Sequence, residues 1–291
     1  MKRIIGALYI IISAASFGTL AIFGRLAYAE GIDTFTLLFL RFTFSAILMS
    51  ALLIIRREKL PAGRTLLLLL IGMGAIGYVG QSFTYLSAIK YASAGLVALL
   101  LYLYPTIVAV LSVIFLKEKL TSIKIAALIS ATLGAMLTAD PQGGQWLGVV
   151  FALASAIIYS IYIIVGDGVM KQVSALPSST IIFTAAGFVY AILTAVNKPH
   201  WPATSSGWLV VIGIAVIATV IPVTTFLAGL KLIGATNAAM LSTLEPVVTV
   251  ILAAWLFNES LPPLSLLGGG LILAAVIMLT RGELRQEMTE T

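Results

Sequence analysis

Residues Tyr85–Leu120 read YLSAIKYASAGLVALLLYLYPTIVAVLSVIFLKEKL, and residues Phe226–Leu261 read FLAGLKLIGATNAAMLSTLEPVVTVILAAWLFNESL. Laid side by side, Lys90 answers to Lys231, Ala94 to Ala235, Pro105 to Pro246 and Glu118 to Glu259, each 141 residues apart and without a gap. The earlier parts of the chain align at a separation of 142, with Gly6, Phe17 and Gly24 opposite Gly148, Tyr159 and Gly166. Self-similarity at a fixed period means that one structural unit has been copied. Two copies are expected, residues 1–140 and 146–281, followed by a short tail, 282–291.

Composition sets the class. The chain has 291 residues, of which 60% are hydrophobic and 10% charged, and its mean hydropathy is +1.12. Soluble domains carry roughly 25% charged residues. So few charges could not cover a water-facing surface, and the apolar runs are long enough to cross a bilayer. The absence of cysteine removes disulfides, thiol nucleophiles and thiolate metal sites. The single histidine, His200, lies in a polar turn, so no histidine-based metal cluster is expected. The N-terminus, MKRIIGALYIII, begins like a signal peptide, but its apolar run is too long and no small-residue cleavage site follows cleanly. It reads as a retained first span.

Ten segments have the ~20 mostly apolar residues of a span. They are about Ile4–Ala27, Asp33–Ile55, Leu66–Ile89, Ala94–Leu116, Ile123–Ala139, Trp146–Gly166, Ser178–Val196, Trp208–Leu230, Ala235–Phe257 and Leu264–Thr280. Short connections with turn formers join them, such as Glu30-Gly31, Pro61-Ala62-Gly63 and Lys198-Pro199-His200. One side collects Lys2, Arg3, Arg56, Arg57, Lys59, Arg64, Lys117, Lys119, Lys124, Lys171, Lys231, Arg281 and Arg285; the other has Arg25, Lys90 and Lys198. That asymmetry marks the first side as cytoplasmic, with both termini inside. Each copy then holds five spans, and an odd number makes the second copy enter from the opposite side. The expected fold is an all-α membrane protein of ten transmembrane helices in two inverted five-helix repeats, an architecture used by secondary transporters.

The pattern Tyr85-x4-Lys90-x3-Ala94, then Tyr104-Pro105 and Leu116-Lys117-Glu118, returns as Lys231, Glu245-Pro246 and Glu259. With Ser16-Phe17-Gly18 and Leu40-Arg41-Phe42 in the first two spans, it resembles the EamA-type transporters of the drug/metabolite transporter superfamily. The likeness covers essentially the whole chain, and the nearest look is to bacterial aromatic amino-acid exporters of the YddG type. It implies export of amino acids or related metabolites, a pocket made by spans 1, 3, 4, 6, 8 and 9, and spans 5 and 10 at the periphery. One departure is Phe17, where many relatives carry Trp before Gly.

Arg41 is the one basic residue well inside a span. An intramembrane charge is expensive and needs a partner. It is either a carboxylate anchor for a substrate or a structural link to neighbouring carbonyls or tyrosines; the Arg-Phe pair looks like a general family feature, which favours structure. Glu245 is the one acid near the middle of a span and precedes Pro246, which removes a backbone donor. It is a candidate to bind an ammonium or carry a proton, or else to cap a broken helix or pair with Arg41. Its repeat partner, Tyr104, cannot ionise at ordinary pH.

Tyr78, Gln81, Ser82 and Tyr85 fall on one helical face. With Phe17, Tyr102, Tyr159 and Tyr162, this face is the expected cavity wall, whose bland alternative is tyrosine anchoring at the interface. Pro105 and Pro246 mark kinks. Glu118 and Glu259 are solvated helix ends or, by the resemblance, stabilisers of gate closure. Gly72, Gly74, Gly77 and Gly80, and Gly268 to Gly270, read as close helix contacts.

No nucleophile–base pair or metal set supports an intramembrane enzyme, and no Walker motif couples ATP. A channel would need charge rings or a filter loop. The expected function is a secondary-active carrier that exports or exchanges neutral amino acids, aromatic ones included. Export of other small metabolites or drugs, or passive facilitation, is the alternative. Its partners are a small-molecule substrate and the lipid bilayer of a bacterial inner membrane. No nucleic acid, cofactor or metal is expected, and the chain is expected to work as a monomer. Reporter fusions after Arg64 and Lys119 should behave as cytoplasmic, and fusions after Gly31 and Gly143 as exterior. A swapped result at any two sites sinks this topology.

Overall fold

The structure, a computed structural model, describes residues 2–92, 97, 100–138, 146–257 and 263–289. Among these residues the secondary structure is helical and contains no β-strand. The first span is two helices, α1 (Lys2–Phe17) and α2 (Leu20–Ala29). They part at Gly18–Thr19, where the Thr19 hydroxyl donates to the Ser16 carbonyl (2.6 Å) instead of facing outward. Helix α3 (Thr34–Arg56) starts at Asp33, whose carboxylate accepts from the backbone N–H groups of Phe35 (2.9 Å) and Thr36 (3.1 Å). This is an N-cap. Burial pushes the Asp33 carboxyl up, but hydrogen bonds from Thr36, His200 and Phe35 outweigh it and hold the group below its ordinary value. Glu30, exposed nearby, is held low by the hydroxyls of Ser206 and Thr204. These contacts lace the α2–α3 turn to the loop before residue 205.

Next come α4 (Arg64–Gly72), a π turn (Met73–Tyr78) and α5 (Val79–Tyr91). Helices α6 (Tyr104–Phe115) and α7 (Ser122–Thr138) complete the first half. The second half runs α8 (Trp146–Met170), α9 (Ala175–Val196), α10 (Ser205–Ala215), a π turn (Val216–Val220) and α11 (Ile221–Leu241). A 3₁₀ turn (Ser242–Leu244) leads into α12 (Glu245–Phe257), and α13 (Pro263–Thr289) closes the chain.

Six helical stretches are long and apolar enough to cross a membrane, and three shorter apolar helices accompany them. One stretch, Ser205–Leu256, has 52 residues. At 1.5 Å per residue it would extend about 78 Å, more than twice the ~30 Å hydrocarbon thickness. It is divided at Gly234, whose backbone (φ 79°, ψ 172°) is open to glycine and strained for other residues. The outward faces carry Ile54, Ile76, Phe188 and Trp255, all largely exposed and suited to lipid.

The interruptions are where the structure departs from the ten smooth segments of the sequence. The first segment is broken at Gly18, the third and eighth hold π turns at matching places, and the ninth restarts at Glu245. Pro246, in the first turn of α12, and Pro105, in the first turn of α6, sit where a missing N–H costs nothing. They begin helices rather than kink them.

The contacts between halves come in exchanged pairs. Ser13 Oγ donates to the Pro222 carbonyl (2.8 Å), and Ser155 Oγ to the Gln81 carbonyl (3.3 Å). A Cβ on Gly6 would lie 2.6 Å from Ile233, and one on Gly148 would lie 2.7 Å from Ala92. Gly18 abuts the Glu245 carbonyl, while Ser160 Oγ donates to the Tyr104 carbonyl (3.3 Å). Each pair turns into its fellow when residues are moved by 142 in the early part and 141 in the late part. Helix α3 packs along α9, and α7 along α13, each against its counterpart in the other half.

Close approach is tightest at Gly74, where a Cβ would stand 2.4 Å from the Ile182 carbonyl oxygen of α9. At Gly72 a Cβ would meet nothing within 4 Å. Gly74→Ala should therefore cost about 1–3 kcal/mol by overpacking, while Gly72→Ala should leave stability unchanged or raised. Thermal unfolding of the two variants in detergent checks this. Equal midpoints would refute the packing assignment.

Candidate functional site

Seven aromatic rings form a continuous row through the bundle. Tyr190 of α9 stacks on Phe42 of α3 (centroids 5.6 Å, 2°), and Phe42 meets Tyr78 edge-on (5.2 Å). Tyr78 meets Tyr162 of α8 (5.8 Å), and Tyr162 stacks on Tyr159 (6.1 Å). Tyr159 meets Tyr104 (4.8 Å), which meets Tyr102 (6.4 Å). Phe226 of α11 packs against Tyr159 within the second half. All these separations lie in the range of favourable ring pairs. Tyr78, Tyr102, Tyr104 and Tyr162 are buried, so the row is closed over.

Helical spacing explains the convergence. Tyr159 and Tyr162 are three apart on α8, a helix that packs against α5, α6, α11 and the first π turn. Tyr78 ends the π turn, and the extra residue of that turn rotates the helix beyond it. Thus Tyr78 points along the row, while Tyr85 packs with Ala88, Val97 and Ala152 in a separate cluster. Ser82 returns its hydroxyl to the Tyr78 carbonyl (2.7 Å).

Polar atoms in this row are left open. Tyr162 Oη is fully buried and has no hydrogen-bond partner among the described residues. Among the same residues, the Tyr102 and Tyr159 hydroxyls, the Gln81 amide and the Glu245 carboxylate also make no side-chain hydrogen bond. An unsatisfied buried polar group costs about 1–3 kcal/mol. Tyr78 and Tyr104 differ: Tyr78 Oη accepts from Arg41 (3.5 Å), and Tyr104 Oη donates to the Ala239 carbonyl (3.4 Å).

Arg41 is buried, and its partners are fixed protein groups. Its Nε donates to Thr219 Oγ1 (2.6 Å), its guanidinium reaches the Ala218 carbonyl (3.5 Å), and its Cζ lies 5.1 Å from the Phe42 ring centroid. Thr219 and Ala218 lie in the second π turn, whose loosened backbone leaves a carbonyl free to accept. Arg41 forms no ion pair with Glu245.

Glu245 opens α12, a place where the helix dipole favours a carboxylate. Its repeat counterpart is Tyr104, a member of the aromatic row. Phe17 ends α1 beside the same spot: Gly18 is pressed on the first turn of α12, and Thr249 Oγ1 donates to the Gly18 carbonyl (3.0 Å). Gln81 lies on α5 against α8, held through its backbone by Ser155.

At the end of the bundle that carries Arg56, Lys117 and Lys124, a second polar cluster joins the halves. Glu118 accepts from the Thr236 hydroxyl and pairs with Lys124 Nζ (3.4 Å). Asp167, buried on α8, pairs with Lys171 (2.7 Å). Both carboxylates flank Gly234, with a Cβ there lying 3.6 Å from Glu118 Oε1 and 3.8 Å from Asp167 Oδ1. Two acids thus face the N-terminus of the helix that restarts after Gly234. Glu259 lies outside the described residues.

The EamA-like transporter family profile matches residues 4–139 and again residues 146–281. The chain belongs to the EamA-like transporter family. Among relatives, an uncharacterized transporter of Archaeoglobus fulgidus is 29% identical over 280 residues, 95% of this chain and 96% of that one. The EamA chain is also 26% identical to the uncharacterized transporter YcbK of Bacillus subtilis, over 91% and 89% of the two. It is 25% identical to the uncharacterized inner membrane transporter YedA of Escherichia coli, over 84% and 80%. A solved crystal structure at 22% identity superposes with a TM-score of 0.83 over 97% of this chain and 98% of that one, a likeness of fold. A multi-pass membrane transporter, not an enzyme, is what these matches support.

Thr219, Tyr190, Phe226, Asp167 and Thr236 escaped the sequence reading. Only Asp167 had a local signal, an acid four residues before Lys171. Arg41→Ala should lower folded yield and cost roughly 1.5–3 kcal/mol, the worth of charged hydrogen bonds, because Thr219 and Ala218 lose their donor. Yield by size-exclusion chromatography tests this. Unchanged yield with a large loss of substrate affinity would reassign Arg41 to the ligand.

Proposed function

We propose that this protein exports or exchanges neutral amino acids, aromatic ones included, by alternating access between two inverted five-helix repeats. The repeats are residues 1–140 and 146–281, with both termini cytoplasmic. The observation that carries the substrate reading is the set of polar groups without protein partners along the aromatic row. The hydroxyls of Tyr102, Tyr159 and Tyr162 and the Glu245 carboxylate suit a small zwitterion, while the ring faces suit its apolar side chain. Ring contacts add about 0.5–1.5 kcal/mol each, enough to prefer Phe or Trp to Ala. A sugar-phosphate carrier would need several free Lys or Arg groups, and Arg41 is already engaged.

The exchanged contacts between the halves support the twofold relation, and the odd number of spans supports its inversion. Ser205–Leu256 supplies two of the ten spans, divided at Gly234. Glu118 holding the helix beyond Gly234 is the closed cytoplasmic gate, and Glu259 is its exterior counterpart in the other packing. Arg41, Pro105 and Pro246 hold the frame; Phe17, Tyr78 and Gln81 wall the site beside Glu245.

Tyr162→Phe separates this reading from mere packing. Removing an unpartnered hydroxyl should leave thermal stability unchanged or higher. If the hydroxyl binds substrate, counterflow of radiolabelled Phe in proteoliposomes should weaken about 5–10-fold in apparent affinity, one neutral hydrogen bond. Phe, Trp, Leu and Met should compete with one another. Competition by sugar phosphates and not by amino acids would overturn the substrate assignment.

A further inference from the structure

We propose that the site selects its substrate by a single ammonium group held at Glu245, and that a carboxylate on the substrate is dispensable. Primary amines with an aromatic or large apolar group then belong to the substrate class alongside amino acids. The inference deepens the amino-acid reading and rests on the same site.

The charges around the aromatic row decide it. Glu245 is a carboxylate with no cation within ion-pair distance among the described residues. An uncompensated charge in a low-dielectric setting calls for an opposite charge. The fixed cation that could have served, Arg41, donates to Thr219 and Ala218 and lies on Phe42. Among the described residues the site therefore brings one open negative group and no open positive one. A monocation bound there restores neutrality; a second anionic group on the ligand gains only neutral phenol donors.

The walls agree with this sign. Tyr78, Tyr102, Tyr159 and Tyr162 are joined through ring contacts in the aromatic row, and aromatic faces attract ammonium groups and repel carboxylates. Tyr162 Oη, buried and unpartnered, provides an acceptor and donor for an ammonium proton or its neighbour. Nothing equivalent exists across the repeat. The counterpart of Glu245 is Tyr104, whose hydroxyl is already spent on the Ala239 carbonyl.

The test uses counterflow of radiolabelled Phe with the full-length protein in liposomes. Two competitors keep the ammonium and lose the carboxylate: phenylalaninamide and 2-phenylethylamine. Two keep the carboxylate and lose the ammonium: N-acetylphenylalanine and 3-phenylpropionate. The first pair should compete within about threefold of Phe, and the second pair at least tenfold more weakly. Glu245→Gln should erase the difference between the pairs, and Glu245→Asp, which keeps the charge, should retain it. Carboxylates that compete as well as amines overturn the proposal, as does unaltered discrimination in a folded Glu245→Gln variant.

Ligand-induced thermal stabilisation of the detergent-solubilised protein separates the two readings. If 2-phenylethylamine stabilises the protein and Phe neither stabilises it nor moves, amino-acid transport falls and the ammonium site stands. If Phe moves and the amines neither compete nor stabilise, the ammonium proposal falls and amino-acid transport stands. Stabilisation by none of the ammonium compounds also overturns the ammonium proposal.

Discussion

A helix broken inside hydrocarbon has freed backbone groups and no water to satisfy them. That constraint governs this fold, because several of its apolar helices are interrupted where they meet the other half. At three of these breaks a group from the opposite half takes part. Thr249 donates to the carbonyl of Gly18, Ser160 donates to the carbonyl of Tyr104, and Glu118 faces the helix beginning after Gly234. Breaks and partners are thus distributed across both copies. Each half also supplies groups to the interruptions of the other, which joins the two halves at these breaks. Any rearrangement of that body has to exchange these partners as sets, which is what a transporter with two stable packings requires.

Much of the frame was legible because it is written periodically. The 141-residue step paired Pro105 with Pro246, which open α6 and α12 where the sequence suggested kinks, and the glycines at 74 and 77 fell at true close contacts. The aromatic wall was legible in part: Tyr78, Tyr102, Tyr159 and Tyr162 do share one row, since helical spacing brings α8 residues three apart to one face. The π turns were not legible. Met73–Tyr78 is MGAIGY, and Val216–Val220 is VIATV; neither carries a proline or a charge to mark an inserted residue. Their consequence is large, because the first turn aims Tyr78 and the second frees the Ala218 carbonyl for Arg41. Partners such as Thr219 for Arg41, 178 positions away, and Thr236 for Glu118, 118 away, leave no trace in local sequence. The amphipathic stripe through Gln81 and Tyr85 diverges for the same reason: regular 3.6-residue counting assumes an unbroken helix.

The two intramembrane charges then stand in different positions, although each occurs once in a repeated frame. Arg41 has an apolar counterpart whichever register is used, Ile182 or Phe183, and both are buried. It reaches across to the second π turn and is held there by a hydroxyl, a carbonyl and an aromatic face. Moving α3 away from that turn would strand a guanidinium in the interior, a penalty far above the thermal scale. The contact of α3 with α9 and the second π turn is therefore the part of the molecule least free to open. Glu245 stands opposite in every respect. It sits at a break, next to the Gly18 interruption, and has no fixed partner among the described residues. A charge with no fixed partner is stabilised by an opposite charge that enters beside it. Arg41 and Glu245 are both positions where the copies differ, and of the two only Glu245 is left without a partner among the described residues.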